Sequence, residues 1–274
     1  MKEKLDYYRR KGYKKVEGFI YPYTIECVCD LSDVQKSHGI KGSMCEIGVH
    51  QGRFFILLHL LADSDEYSIA CDLFERQEEN IGKSGHGNKE IFLENIEKSG
   101  GDLSRVKIIT RNSLNIAPDD LLTHGGIRMI SVDGGHEAGT AYNDIKLAAD
   151  TMVDGGIIWL DDFPHESWLG VMEGTYRFFF DAEKELWPIA ILERKLILTN
   201  NERMAQVYMS KMFESLSLYY DIGHSIFVGK RVLVMWEKSP RRKLKKYLQQ
   251  IRFWKSIQKY RLVDEFGKIL NKHF

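Results

Sequence analysis

The chain has 274 residues, 43% hydrophobic and 28% charged with only five prolines, which is enough apolar material for a full α/β core and excludes a disordered or collagen-like chain. Lysine and arginine together number 39, as do aspartate and glutamate, so the formal net charge is zero. The balance is uneven along the chain: from Ser239 onward eleven basic residues face two acidic ones, leaving a tail of about +9 and a body of about −9.

No run of eighteen apolar residues occurs, and the opening Met1 to Asp6 lacks the apolar stretch of a secretory signal, which predicts a cytoplasmic protein. Cys27, Cys29, Cys45 and Cys71 are too few and too unevenly spaced for a disulfide framework or a zinc site, and they read as ordinary reduced cysteines.

In chain order, residues 1 to about 40 read as polar and aromatic helical material without a chemical motif. Ser43 to Gly48 then reads as a short apolar strand, followed by a glycine-containing turn and a buried helix from Phe54 to Leu61. A second strand spans Tyr67 to Asp72, and a glycine-rich polar stretch leads into a helix over Lys89 to Ile96. Val106 to Thr110 is a third strand and Ile127 to Asp133 a fourth; a helix over Thr140 to Met152 follows, which Gly155-Gly156 is expected to stop. Ile157 to Asp162 is a fifth strand. Beyond Phe163 the spacing predicts a helix over Val171 to Ala182, one strand over Ile189 to Leu198, a helix over Glu202 to Phe213 and a last strand over Lys230 to Glu237. Strands alternating with helices imply a doubly wound, Rossmann-like, mostly parallel α/β sheet, with the last strand as an antiparallel edge. The expected division is a catalytic domain over 1–238 and a basic helical extension over 239–274.

Ligands of such sheets bind beyond the carboxyl ends of the strands, where the strand order reverses. Strand one ends in Glu46-x-Gly48-x-x-x-Gly52, strand two in Asp72, strand three near Asn112-Ser113, strand four in Asp133-Gly134-Gly135-His136 and strand five in Asp161-Asp162. Gly48 and Gly52 suit a tight turn close to a ligand, and an acid at the end of the next strand suits ribose hydroxyls. The dinucleotide fingerprint is absent, because His50 stands where its central glycine would be. Three carboxylates converging at Asp133, Asp161 and Asp162 would repel one another unless protonated or neutralised, and oxygen ligands suit Mg²⁺, Ca²⁺ or Mn²⁺. A hydroxyl on such a metal becomes more acidic, and a nearby imidazole can take its proton.

Glu46-Ile47-Gly48-Val49-His50-Gln51-Gly52 with Asp72 resembles the first motifs of class I S-adenosylmethionine-dependent methyltransferases. Val132-Asp133-Gly134-Gly135-His136, Asp144 and Gly155 to Phe163 are similar to the subgroup of macrocin and mycinamicin sugar O-methyltransferases, and the resemblance covers about residues 40 to 165. It implies that Glu46, Gly48 and Gly52 line the methionine and ribose side of S-adenosylmethionine, that Asp72 binds the ribose, and that Ser113 lies near the adenine. It further implies that Asp133, beside the cofactor, joins Asp161 and Asp162 in holding a divalent metal, Mg²⁺ first among the choices, and that His136 is the general base. Relatives with an aspartate base carry it two positions after the first metal ligand, which is Gly135 here.

Plainer readings stand beside these. Asp161-Asp162 also fits an ordinary strand-to-loop junction, and His136 a helix cap; His165 is a rival base, and Asp144 reads as a solvated helix residue. Lys83, His86 and Asn88 lie in a segment that fits either a flexible loop or a lid. In the tail, Leu244, Tyr247, Leu248, Ile251, Trp254, Ile257 and Leu262 recur at helical spacing among basic residues. Packing on its own domain or in a homo-oligomer competes there with peripheral contact at the inner membrane surface, and nucleic acid ranks last. The leading expectation is a metal-dependent O-methyltransferase acting on a hydroxyl of a sugar or glycosylated small molecule, against a nucleotide-dependent oxidoreductase and a non-catalytic cofactor-binding scaffold.

Overall fold

The computed structural model describes residues 2–181 and 183–238; the basic tail from 239 onward, with its expected amphipathic helix, lies outside the described residues. By its internal contacts the chain divides into a first unit, 1–218 with 222–235, and a second, 219–221 with 236–274. The first contains the sheet core and the site.

Helices α1 (Lys2–Arg10) and α2 (Pro22–Ser37) precede β1 (Ser43–Ile47), α3 (Arg53–Leu61), β2 (Ser68–Asp72), α4 (Lys89–Lys98) and β3 (Val106–Thr110). The short α5 (Pro118–Leu121), β4 (Ile127–Val132), α6 (Ala138–Thr151), β5 (Met152–Leu160) and α7 (Leu169–Asp181) follow. The chain continues through β6 (Trp187–Leu192), β7 (Lys195–Thr199), α8 (Glu202–Leu216), β8 (Tyr220–Phe227) and β9 (Lys230–Glu237). The sheet runs β3-β2-β1-β4-β5-β7-β6-β9-β8. Its first five strands are parallel, and the order reverses between β1 and β4.

Given this reversal, right-handed connections leading from β1 towards β3 place α3 and α4 on one face, and those leading the other way place α5 and α6 on the opposite face. Phe55 of α3 meets Phe92 of α4 edge to face at 5.1 Å, a packing that locks the first pair of helices. The strands carry near-continuous apolar runs because both faces are covered, and Cys45, Ile69, Ile130 and Ile158 are all fully buried. All four cysteines are free and buried.

The differences from expectation fall after the helix α6. That helix stops at Thr151, and Gly155-Gly156 lies inside β5, where the pairing with β4 slips from Ile127↔Met152 to Met129↔Ile157. The single strand expected over Ile189 to Leu198 is a hairpin, β6 and β7, turning at Glu193 (φ 49°) and Arg194 (φ 66°). Two non-glycine residues hold this left-handed turn because their side chains are anchored. Glu193 Oε2 accepts from Thr24 N–H and Oγ1–H at 3.1 and 2.7 Å, and Arg194 Nη1 lies 2.5 Å from His165 Nε2. Beyond the parallel strands, β7 runs antiparallel to β5 and β6, β9 runs parallel to β6, and the sheet ends in β8, so antiparallel pairing lies on this edge of the sheet as expected.

Candidate active site

The carboxyl ends of β1, β2, β4 and β5 open onto a cavity of about 610 Å³. Its wall includes Glu46, Gly48, Asp72, Ser113, Asp133, His136, Asp161 and Asp162, so the sequence-expected residues are brought together except Gly52, which stands at the start of α3 behind the turn.

On the β1 and β2 side the main chain does the shaping. Gly48 has φ +86°, and a Cβ there would lie 1.8 Å from the Asp133 carbonyl oxygen; Gly52 has φ +93°, and a Cβ would lie 2.7 Å from the Phe92 ring. His50 N–H donates to Asp72 Oδ2 at 2.8 Å and Phe74 N–H to Oδ1 at 2.6 Å. Burial pushes the Asp72 carboxyl up, and those N–H donors partly oppose it. Each carboxylate oxygen retains a lone pair for a hydroxyl. Glu46 is 2% exposed and its Oε2 has no partner among the described residues. Burial pushes its carboxyl up to about 8, with the nearby Lys195 charge offsetting part of the rise. Ser113 lines the far end, where its carbonyl accepts from Asn143 Nδ2 at 3.2 Å.

On the β4 and β5 side charged side chains dominate. His136 is held at both nitrogens, Nε2 at 2.8 Å from Asp162 Oδ2 and Nδ1 at 3.0 Å from Ser84 Oγ, and its ring stacks on Trp168 at 3.9 Å. Asp162 has φ 56°, so the chain bends sharply after β5 and sends two successive acids to different partners. Asp161 Oδ1 accepts from Asp162 N–H at 2.9 Å, and Asp161 Oδ2 pairs with the ammonium of Lys195. Burial alone would raise the Asp161 carboxyl, but Lys195 and that N–H outweigh it and hold it below the usual range. Asp133 goes the other way: burial first, then the charges of Asp161, Glu46 and Asp162, push it well above the carboxylate range. Asp133, His136 and Asp162 each offer one ligand atom, all within 4.8 Å of one another, a donor set that suits a divalent cation. Of the three carboxylates expected at a metal, Asp133 and Asp162 enter this group and Asp161 faces Lys195.

Two residues differ from their sequence reading. Asp144 is fully buried under the Gly134 turn rather than solvated; its Oδ2 has no partner among the described residues, and burial pushes its carboxyl up to about 7. His165 binds Arg194 and Ser167 N–H, and its Nε2 is 3.8 Å from Asp162 Oδ1. Sequence reasoning missed Lys195, Ser84 and Trp168. The signal for Lys195 was a lysine opening the apolar run Leu196-Ile197-Leu198, a position no surface residue needs.

Residues 45–163 match the family model described as a methyltransferase domain. The chain carries a methyltransferase domain. It is an enzyme of that class, and the nucleotide-dependent oxidoreductase alternative is not favoured. A search of curated proteins finds no match. Among solved structures, the O-methyltransferase NovP is 15% identical with a TM-score of 0.53, covering 67% of this chain and 81% of its own. CalS11, a TDP-rhamnose 3'-O-methyltransferase of calicheamicin biosynthesis, is also 15% identical, with a TM-score of 0.47 over 63% of this chain and 79% of its own. At such identity the NovP likeness speaks for the fold, and the methyltransferase domain occupies the stretch from β1 to the Asp161-Asp162 bend. No helix among the described residues is long and apolar enough to cross a membrane.

Proposed function

We propose that this methyltransferase domain moves a methyl group from S-adenosylmethionine to a hydroxyl of a sugar or glycosylated small molecule, with His136 as general base and a divalent cation beside it. The carrying observation is that His136, fixed between Asp162 and Ser84, opens into the same cavity as the Gly48 turn and Asp72. The chain's residues fit both the donor and the cation. Glu46 Oε2 is a buried, unpartnered acceptor in the cavity wall, Gly48 leaves the wall free of a side chain, and Asp133 and Asp162 are the carboxylates that would hold the cation. The cofactor supplies an electrophilic methyl on sulfur, and the cation supplies charge that acidifies a hydroxyl.

The protein supplies orientation and a proton acceptor. With Asp162 accepting the Nε2–H of His136, Nδ1 is the basic nitrogen, and the Ser84 hydroxyl occupies the direction from which a substrate hydroxyl would donate. Trp168 keeps the imidazole plane fixed by stacking. Asp72 positions the ribose end of the donor, so that the nucleophile, the carbon and the leaving sulfur are held in line. A sugar acceptor is supported by the resemblance of the Asp133-x-x-His136 and Asp161-Asp162 motifs to sugar O-methyltransferases. Calorimetric titration with S-adenosylhomocysteine tests the donor: saturable one-to-one binding that Asp72→Ala abolishes is expected, and absence of binding would refute the reading.

A further inference from the structure

Lys195 is 3% exposed, has its ammonium on Asp161 Oδ2 and 5.3 Å from the centre of the Phe54 ring, and lies close enough to Asp133 and Glu46 to interact with both charges. A buried lysine is tolerated only when paired, and among the described residues it is the one buried cation on a wall carrying Glu46, Asp133, Asp161 and Asp162. Both Asp161 oxygens are already engaged, Oδ1 by the Asp162 N–H and Oδ2 by the Lys195 ammonium, whose positive charge stands where a cation on Oδ2 would have to approach. Asp133 and Asp162 are instead grouped with His136. We propose that Lys195 is a positioning residue, a resident cation that holds Asp161 away from the metal, so that Asp133 and Asp162 are the only two of the three acids that bind it. The inference rests on the methyl-transfer reading for the presence of a metal, and it assigns Asp161 to the scaffold.

The test is calorimetric titration of Mn²⁺ into the full chain, with S-adenosylhomocysteine binding and thermal melting as checks on folding. Lys195→Met frees Asp161 and removes a positive charge, so Mn²⁺ should bind at least about 10-fold tighter than to wild type. Lys195→Arg keeps the pair and should match wild type. The charge-balanced double variant Lys195→Met with Asp161→Asn should bind Mn²⁺ within about 3-fold of wild type, and it decides the matter if the single variant does not fold. Asp162→Asn should lose at least about 10-fold. Unchanged or weaker Mn²⁺ binding by a folded Lys195→Met, a double variant as impaired as Asp162→Asn, or no Mn²⁺ on wild type and Lys195→Met alike overturns the inference. Those failures leave S-adenosylhomocysteine binding untouched, and that binding judges the methyl-transfer reading separately.

Discussion

From Gly48 to Asp72 the cavity wall is made of main chain, whereas around His136 and Lys195 it is made of side chains drawn from five separated segments. The first wall depends on two glycine conformations and on N–H groups that already point at Asp72. The second depends on a bend at Asp162, a hairpin at Glu193-Arg194, the 77–88 segment that brings Ser84, and Trp168 ahead of α7. A backbone wall tolerates no added atom, while a side-chain wall can lose one member and keep its shape. Gly48→Ala therefore carries the largest expected effect. The added methyl cannot coexist with the Asp133 carbonyl at 1.8 Å, so urea unfolding should show a loss of about 2–4 kcal/mol and S-adenosylhomocysteine binding should vanish. A stable Gly48→Ala protein with normal binding would erase the distinction between the two walls.

The same distinction explains what the sequence reveals. Gly48, Asp72, Asp133 and Asp162 are strand-end residues, and strand ends are legible because apolar runs of five or six residues stop at them. The parallel half of the sheet is readable for that reason, down to the ends of β3 at Val106 and Thr110. Lys195 and Ser84 are not strand-end signals. Lys195 reaches the site because the chain folds back at Glu193-Arg194, and that turn has no glycine or asparagine to announce it; its left-handed residues are held by Thr24 and His165, far away in sequence. Asp144 was misread for a related reason: helical spacing gives the face of a residue but not what covers it, and the Gly134 turn covers this one. The side-chain wall is built from long-range contacts, so a single sequence shows least there.

On the side-chain wall, removing the proposed base should leave the other wall intact. His136→Ala is expected to lower kcat by about 10²–10⁴-fold while S-adenosylhomocysteine affinity stays within about 3-fold of wild type. Affinity falling in step with turnover would mean that the two walls act as one unit and that His136 is a structural member of it.

The smallest expected effect lies where the walls meet, at Glu46. Its folded-state carboxyl titrates at about 8 against 4.5 for the ordinary group, because burial disfavours the charge more than Lys195 favours it. A raised acid binds its proton more tightly in the folded state, so its contribution to stability is complete below about pH 4.5 and is lost as pH rises through 8. Glu46→Gln is neutral throughout and removes that loss. The variant should therefore melt near wild type at pH 4.5 and above it at pH 9, with the gap opening between the two, although Asp133 and Asp144 keep a residual slope of the same sign. Melting curves across that range without ligand check the sign directly. A variant that instead melted below wild type as pH rose would mean that Lys195 already holds Glu46 ionised, placing the lysine's charge on the backbone wall rather than on Asp161.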